Sequence, residues 1–362
     1  MNYSIIRYIL CRVLEFQALF LLLPCIVAVC YGEKQGWVYL LVAAGCLLVA
    51  ELGKLKKPKS TVFYAREGFV TVSLSWIILS IIGALPFYFT GEFPTYTDAL
   101  FETISGFTTT GASILSDVEA LSRCTMFWRC FTHWIGGMGV LVLILAVLPL
   151  AGGYNMYLMR AESPGPTVGK LVPRVRHTAR ILYQMYILMT IVEIITLLIA
   201  GMSLYDSLTL SFGTAGTGGF GLLNTGAAEY TPTVQIILTI FMILFGINFN
   251  VYFLIRERKG KEAIKHEEMR YYLGVIAVAI ILITVNVKDY FETIAEAIRH
   301  AAFQVASIIT TTGFSTTDFN KWPEFSKFIL VLLMFIGACA GSTGGGIKVS
   351  RVTVSYTHLT LP

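Results

Sequence analysis

The sequence predicts an all-α integral membrane protein made of repeated helix–pore loop–helix units behind an N-terminal helical hairpin. Three observations predict it. Hydrophobic residues make up 56% of the 362 and charged residues only 14%, against roughly 45–50% and 25% in soluble domains. Apolar runs long enough to cross a bilayer alternate with short polar stretches, so length here counts spans rather than soluble domains. One Thr/Gly-rich signature also comes back three times.

That signature is Thr108-Thr109-Thr110-Gly111-Ala112, which returns as Thr310-Thr311-Thr312-Gly313-Phe314 and, more loosely, as Gly216-Thr217-Gly218-Gly219-Phe220. The copies extend upstream. Asp98, Asp206 and His300 each stand thirteen residues before the copy's glycine, and Ala99, Phe101 and Ser105 match Ala301, Phe303 and Ser307. The glycines lie 108 and 94 residues apart, longer than a solenoid period and long enough for a span on either side of the loop. A single Thr/Gly run reads equally well as a surface turn; triplication with matched upstream helices argues against that. At membrane depth such backbone is tolerated only where it is buried or lines water, and rings of carbonyls of this kind can replace an ion's hydration shell.

The elements follow in order. Residues 5–30 are apolar apart from Arg7, Arg12 and Glu15, with Pro24 expected to kink them, and Trp37 to Leu52 form a second span. No small-residue cleavage site follows the first run, so it reads as a retained span rather than a signal peptide. Lys54, Lys56, Lys57, Lys59 and Arg66 then form a basic loop that faces the cytoplasm by the positive-inside rule, with the N-terminus on the same side. The seven cysteines are odd in number and show no metal-ligand spacing, and they read as buried packing residues.

Repeat one comprises a span over 68–89, a pore helix over 98–105 and a second span over 130–150. Asp98 stands where an N-cap belongs, so the pore helix starts near the outer surface and aims its C-terminal carbonyls at the loop, a polarity that favours a cation. A second basic loop carries Arg160, Lys170, Arg174, Arg176 and Arg180, with two prolines in E-S-P-G-P at 162–166. Repeat two has spans over 181–200 and 234–255 around a pore helix over 206–212. Glu193 lies inside its first span, either as a functional group facing the protein interior or as a carboxyl tied to a neighbouring helix. Arg256, Arg258, Lys259, Lys261, Lys265 and Arg270 make the third basic loop. The three loops hold sixteen of the 27 Lys and Arg, and the parity between them opens every Thr/Gly loop to the outside.

Repeat three runs through a span over 271–287, a pore helix over 296–308 and a span from Ser326. Gly337, Gly341, Ser342, Thr343, Gly344, Gly345 and Gly346 put too many poor helix formers together for an unbroken helix in lipid. The run is either a break beneath the pore or a close-packing stripe. Asn248 and Asn250, at the matching depth of repeat two, either bond that segment or tie neighbouring helices.

The stretches S-G-F-T-T-T-G-A at 105–112, T-T-T-G-F-S-T-T-D at 310–318 and A-G-S-T-G-G-G-I-K at 340–348 resemble the Trk/Ktr/HKT superfamily of cation transporters. The loop R-A-E-S-P-G-P from Arg160 is similar to that of its Trk uptake-subunit branch. The resemblance covers about residues 60–352, and its two extra N-terminal helices agree with that branch. It implies four repeats around a pseudo-fourfold axis, like a potassium channel, with K⁺ coordinated at Thr110, Gly111, Gly218, Gly219, Thr312 and Gly313. It also implies a gating loop at Gly341–Gly346, a homodimer in the bacterial inner membrane, and a cytoplasmic TrkA-like ring of nucleotide-binding regulatory subunits. No P-loop for nucleotide occurs in this chain, and neither a cofactor nor nucleic acid is expected.

The expected segments are a hairpin at 1–60 and pore repeats at 61–160, 161–262 and 263–354. The tail 355–362 reads as non-native and the fourth repeat as absent, so a truncated chain is expected. The alternatives are a sodium-coupled Ktr-type or Na⁺/K⁺ HKT-type transporter and, more remotely, an intramembrane enzyme. The enzyme would need a constellation around Glu193 or His133, and no HExxH or paired aspartate accompanies either.

Overall fold

A computed structural model describes residues 1–56, 64–139 and 175–360. The described residues are almost entirely helical, without strands. Among the described residues five helices are long and apolar enough to cross a membrane, with a sixth candidate if one bent pair is a single span. The chain divides into two compact units, Met1–Tyr183 and Gln184–Pro362.

In the first unit the hairpin is α1 (Tyr3–Tyr31) and α2 (Gly36–Lys54). Asn2 caps α1 by accepting from the Ile5 N–H, and Gly32 closes it in the left-handed conformation. Small residues let the two helices approach: a Cβ on Gly53 would lie 2.3 Å from Cys11 Sγ, the close-packing use of glycine expected between membrane helices. Glu33, in the turn, accepts from the Arg123 and Cys124 N–H groups at 2.8 and 2.9 Å. It thereby caps α5 (Arg123–Met138), whose own Ser122 makes no side-chain cap. Between them, α3 (Ala65–Phe89) packs on α4 (Tyr96–Phe107), and Trp128 of α5 donates to the Gly83 carbonyl at 3.0 Å.

The second unit contains α6 (Val175–Ile199, which enters from the first), α7 (Leu204–Ala215), α8 (Pro232–Phe245) and α9 (Phe249–Arg256). A short α10 (Gly260–Ile264), α11 (Glu267–Val287), α12 (Ile294–Ile309), α13 (Glu324–Ile336) and α14 (Val349–Thr360) follow. One core of this unit joins Tyr272, Ile283, Val287, Ala301, Val305, Trp322, Leu330 and Leu333 from α11, α12, α13 and the loop before α13. Outward positions stay apolar in both units, as at Leu41 and Ile199, the surface a bilayer solvates.

Four expectations need correction. Asp98 is not the N-cap: Thr95 is, accepting from the Asp98 N–H at 3.1 Å while its hydroxyl donates to the Asp98 carboxylate at 2.7 Å. Ser203 and Asp206 repeat this pairing, and Thr293 caps α12 through the Glu296 N–H at 3.2 Å. The third pore helix therefore starts two residues earlier than expected, at Ile294. Helix α5 of repeat one starts at Arg123, before the expected residue 130, and closes at Gly139, where φ is 73°. The second span of repeat two is two helices, α8 and α9, bent by 89°. Finally, Cys30 is exposed and Cys25 half-buried, while the other five cysteines are buried. Residues 140–150, the E-S-P-G-P loop, and Lys57, Lys59, Arg160, Lys170 and Arg174 lie outside the described residues.

Candidate functional site

The three pore helices end in one and the same way. In α4, N–H groups of Thr108, Thr109 and Thr110 donate to the carbonyls of Ile104, Gly106 and Ser105 at 2.9, 3.1 and 2.9 Å. In α7, Gly216, Thr217 and Gly218 donate to Phe212, Thr214 and Gly213, each at 3.0 Å. In α12, Thr310, Thr311 and Thr312 donate to Ala306, Ile308 and Ser307 at 3.1, 3.1 and 2.9 Å. The last two bonds of each set are the Schellman pair, which satisfies helix-end carbonyls and demands a left-handed residue just past the cap.

That left-handed residue is a threonine every time: Thr109, Thr217 and Thr311 have φ of 53°, 51° and 60°. Glycine normally sits there, because a β-branched side chain in this region is strained by about 1–3 kcal/mol. Two residues on, Gly111, Gly219 and Gly313 are left-handed too, at 74°, 79° and 89°. The loosely spelled second copy is thus in the register read from the sequence.

These bonds also orient carbonyls. In a trans peptide the C=O of one residue points opposite to the N–H of the next, and no peptide here is cis. Because the N–H groups of three consecutive loop residues turn back onto the helix, the carbonyls of Phe107–Thr109, Ala215–Thr217 and Ile309–Thr311 turn away from it. Hydroxyls add to them: Thr108 and Thr110 bond each other at 2.8 Å, as do Thr310 and Thr312 at 2.7 Å. Loops two and three touch. A Cβ on Gly219 would lie 1.9 Å from the Thr312 carbonyl oxygen, so no other residue fits that conformation and that space together.

The glycine-rich run is a true break between α13 and α14, and it lies against those loops. Thr217 donates its hydroxyl to the Thr343 carbonyl at 2.9 Å, and Thr311 accepts from the Gly345 N–H at 2.7 Å. The strained threonines of two copies are therefore the ones that hold Thr343 and Gly345. Gly337 and Gly346 cross so closely that a Cβ on either would approach the other's Cα to 2.6 or 2.5 Å. The Lys348 ammonium donates to the Gly344 carbonyl.

Asn248 follows the second of its open readings, tying helices together, and its side chain reaches the glycine-rich run only through Glu268. Its side-chain oxygen caps α9 from the Asn250 N–H at 2.9 Å, and its amide donates to Glu268 Oε2 at 3.2 Å. Glu268 Oε1 accepts from the Ala340 N–H at 2.6 Å, which binds the glycine-rich run to the α8/α9 bend through one carboxylate. Glu193 is fully buried on α6 and His133 on α5. Sequence reading missed Glu268, Lys348 and the buried pair Glu102–Arg129. Arg129 stands among Phe127, Trp128, Cys130 and Phe131, but for it, as for the others, only the distant partner gives the residue its meaning. Among the described residues no group of three or more His, Cys, Asp or Glu could hold a metal ion.

A helical membrane protein whose pore helices end in repeated, outward-turned carbonyl loops, with a broken helix folded against two of them, has the build of an ion-conducting transporter. Comparison with known proteins places it further. The family model "TrkH: Cation transport protein" matches residues 39–360. The Trk system potassium uptake protein TrkH of Salmonella typhimurium is 37% identical over 352 residues, 93% of this chain and 71% of that protein. The Trk system potassium uptake protein TrkG of Escherichia coli is 33% identical over 370 residues, 98% of this chain and 75% of that one. The crystal structure of the potassium transporter TrkH from Vibrio parahaemolyticus superposes with a TM-score of 0.85 at 29% identity, covering 98% of this chain and 75% of that one. The chain belongs to the TrkH family of cation transport proteins.

Proposed function

We propose that this chain moves potassium ions into the cell through a path lined by the backbone carbonyls of the Thr/Gly loops at 108–112, 216–220 and 310–314. K⁺ is coordinated near Thr110, Gly111, Gly218, Gly219, Thr312 and Gly313, and Gly341–Gly346 acts as the gate. The relatives named above are potassium uptake proteins and a potassium transporter, which favours K⁺ over a Ktr-like or HKT-like sodium preference. The observation that carries the reading is the Schellman ending with a left-handed threonine in all three copies. One strained conformation kept three times argues for one shared task, and carbonyls turned from the helix end are what a dehydrated cation requires.

The gate reading rests on the hydroxyl bonds from Thr217 and Thr311 to the glycine-rich run. A homodimer in the bacterial inner membrane, with a TrkA-like nucleotide-binding ring on its basic cytoplasmic face, completes the proposal. Reporter fusions after Lys59, Gly165 and Lys261 are expected to read cytoplasm, and fusions near Asp117 or Glu229 the outside. An external signal from any basic loop overturns the arrangement.

The filter is tested by Gly219→Ala beside Gly201→Ala. Both glycines are left-handed, at 79° and 91°, but Gly201 has nothing within 4 Å of an added Cβ. Backbone strain is thus common to the two, and only Gly219→Ala drives a methyl into the neighbouring loop. Rb⁺ uptake in a host lacking its own potassium uptake is expected to collapse for Gly219→Ala and to persist for Gly201→Ala. Undiminished, selective uptake by Gly219→Ala rules out this filter.

A further inference from the structure

Loop one differs from loops two and three in what secures its outer leg, the residues just past the glycine. In loop three the Ser307 hydroxyl donates to the Phe314 carbonyl at 2.6 Å, and His300 Nδ1 bonds the Thr316 hydroxyl at 2.9 Å. Loop one has a serine in the register of Ser307, yet among the described residues the Ser105 hydroxyl has no hydrogen-bond partner. A carboxylate does the work instead. Glu102, on α4 and fully buried, accepts from the Ser113 hydroxyl at 2.9 Å and from the Ile114 N–H at 3.0 Å.

The same carboxylate meets Arg129 of α5, whose Nε donates to Oε1 at 2.6 Å, with side-chain exposures of 0% and 2%. Three donors from two elements, a hydroxyl and a backbone N–H of the loop leg and the guanidinium of α5, thus converge on one group. The equivalent positions in the other copies, nine residues before the glycine, are Leu210 and Gln304. Gln304 is buried as well, and its side-chain oxygen has no partner among the described residues. Charge at this register belongs to copy one alone.

A buried ion pair is weak as a device for stability, because desolvating both ions offsets most of their attraction. Its strength lies in geometry: charge-assisted bonds are short and directional. Only a carboxylate, an acceptor at both oxygens, can receive Arg129, Ser113 and Ile114 together. A glutamine would turn an amide N–H towards one of those donors.

We propose that Glu102, with Arg129 as its countercharge, is a specificity-determining positioning residue that holds loop one at the width that selects potassium. This rests on the filter reading given above. The test is the ratio of Rb⁺ to Na⁺ uptake per folded molecule at the membrane, measured for Glu102→Gln, Glu102→Asp, Ser113→Ala and, as a filter control, Gly111→Ala.

Glu102→Gln is expected to lower the ratio about tenfold, equivalent to about 1.4 kcal/mol, with Rb⁺ uptake still measurable. Glu102→Asp, charged but one methylene short, falls between it and the parent, and Ser113→Ala lowers the ratio about two- to threefold, the loss of a single neutral bond. If Glu102→Gln fails to reach the membrane, Ser113→Ala decides, since it leaves the ion pair whole. An unchanged ratio in Ser113→Ala or in folded Glu102→Gln, while Gly111→Ala loses selectivity, overturns the proposal and leaves the filter standing. No change in any of the four overturns the filter reading and the proposal with it.

Discussion

The second helices of repeats two and three both break, but on different scales. Between α8 and α9 only Gly246, Ile247 and Asn248 intervene; between α13 and α14 the break runs from Gly337 to Lys348. A broken helix strands carbonyls on one side and N–H groups on the other, and in a membrane neither can turn to bulk water. The short break leaves the Phe245 and Gly246 carbonyls and the Phe249 N–H in this state. The long break satisfies all three: Thr343 donates to Phe245 at 3.3 Å, Cys339 to Gly246 at 3.0 Å, and Phe249 donates to the Gly341 carbonyl at 3.0 Å. The two breaks are one structure, each completing the other, with Glu268 clamping both from α11.

This comparison fails most visibly if the long break can be removed without consequence. Deleting Gly344–Gly346 takes away the Gly345 bond to Thr311 and the Lys348 contact with Gly344. Rb⁺ flux is expected to rise more than any point substitution can raise it and to escape control by the proposed regulatory ring. Reduced flux from a variant that still folds and reaches the membrane assigns the glycines to packing.

A smaller effect is expected from Glu268→Gln, which sets an amide N–H against either the Ala340 N–H or the Asn248 amide. An unpaired buried donor costs about 1–3 kcal/mol, so the glycine-rich run should open about ten times more often, or somewhat beyond. Cys339, fully buried next to Ala340, reports this directly. Its labelling by a membrane-permeant thiol reagent is expected to quicken by that factor, and an unchanged rate means the clamp is redundant.

The smallest effect sharpens the comparison. Asn248→Ala removes the α9 cap and one of the two Glu268 bonds, a loss of about 1 kcal/mol, but leaves Ala340 held. Labelling of Cys339 is expected to rise only several-fold. A rise matching that of Glu268→Gln makes Asn248, rather than Ala340, the partner that matters.

The Thr/Gly loops, their register and the glycine-rich break were legible because their signals are local. Pore helix and loop recur within a single stretch of chain, and glycine and β-branched residues act on their own backbone. The two hairpin spans and the first span of each repeat were legible for the same reason, since hydropathy is a property of a window. The start of each pore helix was misread by two residues; in the first, Asp98 and Thr95 both suit a cap, and only the Thr95 oxygen on the Asp98 N–H settles which one caps.

The bend between α8 and α9 was illegible in principle. Phe245-Gly246-Ile247-Asn248 contains one glycine, which costs a helix only about 1 kcal/mol, and nothing in that stretch demands a break. What makes the bend favourable is a set of partners that arrive nearly a hundred residues later, at Cys339, Gly341 and Thr343. Likewise Glu102 and Arg129 read singly as polar residues on two helices and become a pair only when α4 and α5 pack. The sequence by itself determined which backbone would turn, by conformational preference and hydropathy. Only the tertiary structure decided which broken ends and which buried charges meet, because a hydrogen bond between distant segments has no trace in either segment alone.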